Sequence, residues 1–157
     1  MKKYDLAKKN ILITGGSGFL GSELVSRLKG SGCNVCIMSR NEGNLIKLQM
    51  KHPWITTLSG DVSDRYSVHQ AMKGVDGIFH LAAFKHVGLA EKQSRECIKS
   101  NTIGSLILLE EAVKEKVDFV LGISTDKAAQ VSGVYGASKL LMERLFTQFE
   151  KTYTDTR

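Results

Sequence analysis

Three stretches of this sequence carry residue types at spacings that could do chemistry. Tyr135-Gly136-Ala137-Ser138-Lys139 sets a phenol and an ammonium four residues apart, one turn along one face of a helix. Lys139 can then lower the phenol's pKa electrostatically and hydrogen-bond a ribose. Tyr135 can relay a proton from a substrate hydroxyl as hydride leaves the same carbon. Just upstream, Ser124-Thr125-Asp126-Lys127 puts hydroxyl, carboxylate and amine side by side, a set suited to more than one proton transfer. Taken alone, each group is equally a surface pair or a solvated turn. The third stretch is Gly15-Gly16-Ser17-Gly18-Phe19-Leu20-Gly21. Here Gly15 permits a tight turn, Gly18 lets the backbone approach a phosphate, and Gly21 allows close helix packing. A helix opening there offers free N–H groups and a positive dipole to the pyrophosphate of NAD(P).

These residues need elements to hold them, and hydrophobic patterning supplies the elements. Short apolar runs at 10–14, 34–39, 54–59, 77–81 and 118–124 read as strands. Between them, helical patterns cover 18–29, 44–51, 67–73, 97–116 and 138–151. The first is striped by Leu20, Leu24, Val25 and Leu28. The 97–116 helix carries Ile98, Thr102, Leu106, Leu109 and Val113 on one side, and the last turns Leu141, Leu145 and Phe149 inward. Strands alternating with helices of this length predict an α/β fold, a doubly wound parallel sheet of the NAD(P)-binding Rossmann type. Ligands in such sheets bind outside the carboxyl ends of the strands, where every chemical stretch above falls.

Further candidates follow from that rule. Ser39-Arg40-Asn41 ends the second strand. A carboxylate there would take the 2′-hydroxyl of NAD, whereas an arginine accommodates a 2′-phosphate, so the expected cofactor is NADP, with NAD the alternative. Asp61-Val62 ends the third strand, where Asp61 can accept from an adenine amine or serve as a turn or cap aspartate. Leu81-Ala82-Ala83 ends the fourth, its small side chains letting backbone lie against the cofactor, and Lys85 adds a cation at the same edge.

The bulk properties exclude several classes. The chain has 157 residues, 42% hydrophobic and 24% charged, enough for one domain with a core. No apolar run reaches the ~20 residues of a membrane span, and the charged start Met1-Lys2-Lys3-Tyr4-Asp5 is not a signal peptide, so the expected location is cytoplasmic. The net charge of +6 comes from scattered lysines and suits an anionic cofactor and substrate better than nucleic acid. Cys33, Cys36 and Cys97 form no disulfide framework; the Cys33–Cys36 spacing lacks a second pair and falls on a strand, so no metal site is expected.

Together these motifs resemble the extended short-chain dehydrogenase/reductase superfamily. The resemblance rests on Thr14 to Gly21, Asp61-Val62, His80-Leu81-Ala82-Ala83, Asn101 and Tyr135-x-x-x-Lys139. Ala82-Ala83-Phe84-Lys85-His86-Val87, Asn101-Thr102-Ile103-Gly104 and Ser124-Thr125-Asp126-Lys127-Ala128-Ala129 look like the inverting UDP-N-acetylglucosamine 4,6-dehydratases of polysaccharide and glycan biosynthesis. The resemblance implies Asn101 among the cofactor-binding residues and a nucleotide-sugar substrate such as UDP-N-acetylglucosamine. It implies that Tyr135 takes the C4 hydroxyl proton, Lys127 abstracts at C5, Asp126 protonates the departing C6 hydroxyl, and Thr125 orients the 4-oxygen. Gln130-Val131-Ser132-Gly133-Val134 departs from the family, which carries Asn-Pro and a further Asn there. Family members also continue into a substrate-gripping domain, so residues 1–157 correspond to the cofactor domain, with a sheet of about five strands whose open edge would favour a homo-oligomer. A nucleotide-sugar epimerase, a cofactor-binding module without turnover and a redox-sensing regulator are the competing readings.

Overall fold

A computed structural model describes residues 5–153. Five strands form one parallel sheet: β1 (Asn10–Thr14), β2 (Asn34–Ser39), β3 (Thr56–Ser59), β4 (Gly77–His80) and β5 (Phe119–Gly122), in the order β3-β2-β1-β4-β5. The order reverses direction between β1 and β4, which makes that junction the switch point.

Alternation along β1 explains why both faces are covered. Ile11 and Ile13 face one layer, packed with Val25, Leu28, Leu45 and Leu48 from α1 (Phe19–Leu28) and α2 (Glu42–Lys51). Leu12 faces the other, among Val68, Met72, Leu108 and Ala112 from α3 (Arg65–Met72) and, further along, α6 (Gly104–Lys114). Glu111 of α6 is buried, yet it accepts hydrogen bonds from Arg65, His69 and Lys114 and so ties α3 to α6. Cys33 and Cys97 are buried and Cys36 half-buried, all three as free thiols.

Several elements differ from the sequence reading. The expected helix at 97–116 is three pieces: α5 (Ser94–Ile98), a π-helical turn (Lys99–Ile103) and α6. The π turn rotates the face by a fraction of a turn. Ile98 is consequently 41% exposed, while Cys97, Ser100 and Asn101 point inward. A short helix not foreseen, α4 (Val87–Lys92), precedes α5. The last helix, α7 (Val134–Thr152), begins four residues before the expected 138 and buries Met142 rather than Leu141. Among the described residues no helix is long and apolar enough to cross a membrane.

Candidate active site

The carboxyl ends of the strands open onto a cleft of about 630 Å³. Its wall brings together Gly15, Ser17, Gly18, Phe19, Leu20 and Gly21 from the first turn and Ser39, Arg40 and Asn41 after β2. Asp61 and Val62 after β3, Leu81, Ala82, Ala83 and Lys85 after β4, and Tyr135 and Lys139 from α7 complete the set expected there. Met38, Asn44, Gly60, Ser100, Ile123 and Ser124 also line it. Most of these are strand-end neighbours of the motifs, and only the sheet shows that they share the wall.

The glycine turn is dictated by close backbone approach. Gly15 has φ +68°, and a Cβ on it would lie 2.7 Å from the Ala82 backbone; a Cβ on Gly21 would lie 2.3 Å from the Gly16 carbonyl oxygen. Gly18 precedes α1 in extended backbone, no side chain caps the helix, and no acidic residue stands in its first turn. The leading amides and their dipole are therefore left for an anion, with Arg40, Lys85 and Lys139 around the same cleft. That charge pattern fits a dinucleotide pyrophosphate. Ser17 donates to Ser39 across the cleft floor at 2.8 Å.

Asp61 behaves as a turn aspartate. Its Oδ1 accepts from the Ser63 amide and hydroxyl, both at 2.8 Å, and its Oδ2 lies 3.6 Å from the Arg40 guanidinium. Burial pushes its carboxyl up, but the Ser63 hydrogen bonds and the charges of Arg40 and Lys99 outweigh this and hold it below the usual range.

Asn101 stands apart from the other residues expected at the cofactor. It is 1% exposed and lies off the cleft wall. Its Oδ1 accepts from the Phe84 amide at 2.7 Å, and its Nδ2 donates to the Phe84 carbonyl at 3.0 Å and to Ser138 Oγ at 3.0 Å. These bonds tie the segment after β4 to α7 through the Asn101 side chain. Its neighbour in the network is His80, which the sequence marked only as part of a motif. Ser105 Oγ donates to the Asn101 carbonyl at 2.7 Å, so it accepts from His80 Nε2–H at 2.9 Å, and His80 Nδ1 accepts from Thr14 Oγ1 at 2.7 Å. Burial, with the nearby Lys139 charge, pushes the imidazole down to about 3, so it is neutral in any ordinary buffer.

Lys139 is 3% exposed. Its ammonium donates to the Ile123 carbonyl at 2.6 Å and to Met142 Sδ at 3.2 Å. Burial lowers its pKa to about 8, against the opposing pull of Glu143 and Cys97. Glu143 in turn accepts a short hydrogen bond from Ser124.

Thr125, Asp126 and Lys127 lie just beyond the cleft. Thr125 caps the 3₁₀ turn Asp126–Ala128 and donates to Asp126 at 3.0 Å. Lys127 and Asp126 form an exposed ion pair at 2.7 Å; the hydrogen bond between them holds the carboxyl low and the ammonium high. Gly136 explains why this turn sits against α7, because a Cβ there would meet the Lys127 carbonyl oxygen at 2.4 Å. A second cavity of about 280 Å³ lies between them, bordered by Lys127, Tyr135 and Gly133. Tyr135 is thus on the walls of both spaces.

The chain is 38% identical over 144 residues to the UDP-glucose 4-epimerase of Rickettsia canadensis, covering 87% of this chain and 42% of that protein. It is 37% identical over 145 residues to the inverting UDP-N-acetylglucosamine 4,6-dehydratase of Campylobacter jejuni, covering 88% and 43%. The structure of DesIV, a dTDP-glucose 4,6-dehydratase from Streptomyces venezuelae solved with NAD bound, superposes with a TM-score of 0.84 at 26% identity, covering 94% of this chain and 54% of that one. The chain therefore spans about half the length of the relatives it matches. The family described as polysaccharide biosynthesis protein matches residues 11–157. The chain belongs to that family, with the Rossmann-type sheet of the extended short-chain dehydrogenases.

Proposed function

We propose that this chain is the cofactor-binding and proton-handling part of a nucleotide-sugar 4,6-dehydratase of the UDP-N-acetylglucosamine type, using NADP. The observation that carries the reading is the position of Tyr135. It stands on the cleft with Lys139 and on the adjoining cavity with Lys127, so one phenol joins a redox site to an elimination site.

The glycine turn and the opening of α1 would hold the pyrophosphate, Lys139 the ribose, and Arg40 a 2′-phosphate. The chemistry a bound nicotinamide supplies is withdrawal of hydride from sugar C4 and its return at C6. Tyr135 accepts the C4 hydroxyl proton. The resulting ketone acidifies C5. Abstraction there needs a neutral amine at Lys127 and departure of the C6 hydroxyl needs a carboxylic acid at Asp126. That state has the same proton count as the ion pair, so one proton crossing 2.7 Å creates it. Water favours the ionised form, and a sugar covering the pair favours the neutral one by excluding water.

Incubation with UDP-N-acetylglucosamine and NADP⁺ should give a 4-keto sugar one water lighter, absent with Tyr135→Phe. Product no greater than the Y135F control, with cofactor still bound, would leave a binding module. An epimerase, the reading favoured by the Rickettsia canadensis relative, would return a product of unchanged mass. Arg40→Ala should weaken NADP relative to NAD by roughly 10–100-fold, the worth of a charge-assisted phosphate contact. Equal affinities in the parent chain would remove the NADP assignment.

A further inference from the structure

Helix α7 begins without a cap of its own. Gly133 occupies its N-cap position in fully extended backbone, φ −168° and ψ −179°, and supplies no side-chain acceptor. The acceptor comes from 43 residues away: Glu91 Oε1, on the short helix α4, accepts from the Val134 amide at 2.7 Å. Space around Gly133 is shaped to this contact, since a Cβ there would lie 2.3 Å from Glu91 Oε1. Any residue adopts Gly133's backbone angles, so the missing side chain matters for room rather than for conformation.

We infer that Glu91 is a positioning residue that sets the place of the Tyr135 phenol by capping α7 from α4. This rests on Tyr135 having the proton-transfer role given above. Tyr135 lies between two anchored points: Val134, held by Glu91, and Ser138, held by Asn101. Both anchors lead back to the segment that follows β4, through α4 in one case and Phe84 in the other. That segment also carries Ala82, Ala83 and Lys85 on the cofactor cleft, so the helix bearing Tyr135 and the wall facing the cofactor are tied to the same stretch of chain. A carboxylate at a helix start also complements the dipole.

The test uses three variants of the full chain labelled with ¹³Cζ-tyrosine. Glu91→Gln keeps an acceptor oxygen, Glu91→Ala removes it, and both lose the charge, so any difference between them reports the hydrogen bond. Gly133→Ala leaves Glu91 in the sequence but displaces its carboxylate. The Val134 amide should exchange roughly five- to ten-fold faster in E91A and G133A than in the parent or E91Q, the usual effect of losing a cap. The Tyr135 ¹³Cζ resonance, which reports the surroundings of the ring, should move in E91A and stay with the parent in E91Q. If E91A and E91Q coincide in both readouts, the hydrogen bond does nothing. If exchange differs but the ¹³Cζ resonances coincide, Glu91 is only a cap. Either result overturns the inference. Neither readout needs turnover, so a failed dehydratase assay would sink the functional proposal while leaving this one decided separately.

Discussion

Replacing Lys139 with methionine should change how stability depends on pH, and the structure gives the size and sign. The ammonium is 3% exposed, and burial brings its pKa from 10.5 to about 8. In the unfolded chain the same lysine returns to its ordinary value. Between pH 8 and 10.5 the unfolded state therefore binds more protons than the folded one, and stability rises with pH across that window. Below pH 8 the folded protein bears the whole penalty. At about 1.4 kcal/mol per unit, the shift corresponds to an upper bound of ~3 kcal/mol. Lys139→Met has no such linkage. Urea denaturation of parent and variant at intervals from pH 7 to 10.5 isolates it, because other titrating groups cancel in the difference. The parent should gain up to about 3 kcal/mol on the variant as pH rises, the curves separating chiefly above pH 8. Parallel profiles would refute the reasoning, showing that the ammonium is solvated in the folded chain.

Two further outcomes follow from close contacts. Gly15→Ala forces a side chain into the left-handed region and against the Ala82 backbone at 2.7 Å, so it should cost about 2–4 kcal/mol in denaturant unfolding and abolish dinucleotide binding by calorimetry. A variant that binds normally would place the turn elsewhere. Asn101→Ala removes the partners of the Phe84 amide and carbonyl and of Ser138 at once, and should lower stability by about 2–4 kcal/mol. Binding of NAD should weaken far less than with Gly15→Ala, because Asn101 is off the cleft wall; comparable losses would return it to the cofactor site.

Local rules served well wherever the chain's chemistry is local. The alternation of Ile11, Leu12 and Ile13 requires two covered faces, and the glycine spacing in the first turn follows from backbone contacts a few residues away or one strand across. The strand-end rule then brought Arg40, Asp61, Ala82 and Tyr135 to one cleft. Local rules failed where the determinant is distant. The start of α7 lies at Val134 rather than 138, and the side-chain acceptor at that start sits on distant Glu91. Helix α4 was missed because its six residues carry too short a pattern to register. Ile98 falls off the buried side because a π turn adds a residue to the helical turn that follows it, and nothing in the local composition announces it.

What the sequence alone determined is the parallel α/β sheet and the side of it on which ligands bind, because strand period, helix period and glycine turns are properties of neighbouring residues. What only the tertiary structure decided is the state of the groups at that edge. Lys139 is depressed by burial in the folded chain, His80 is held neutral between Thr14 and Ser105, and Lys127 is paired with Asp126 in the open. Residue types were sufficient to nominate these side chains. Their protonation and aim depend on dielectric and on partners tens of residues away, which exist only once the chain has folded.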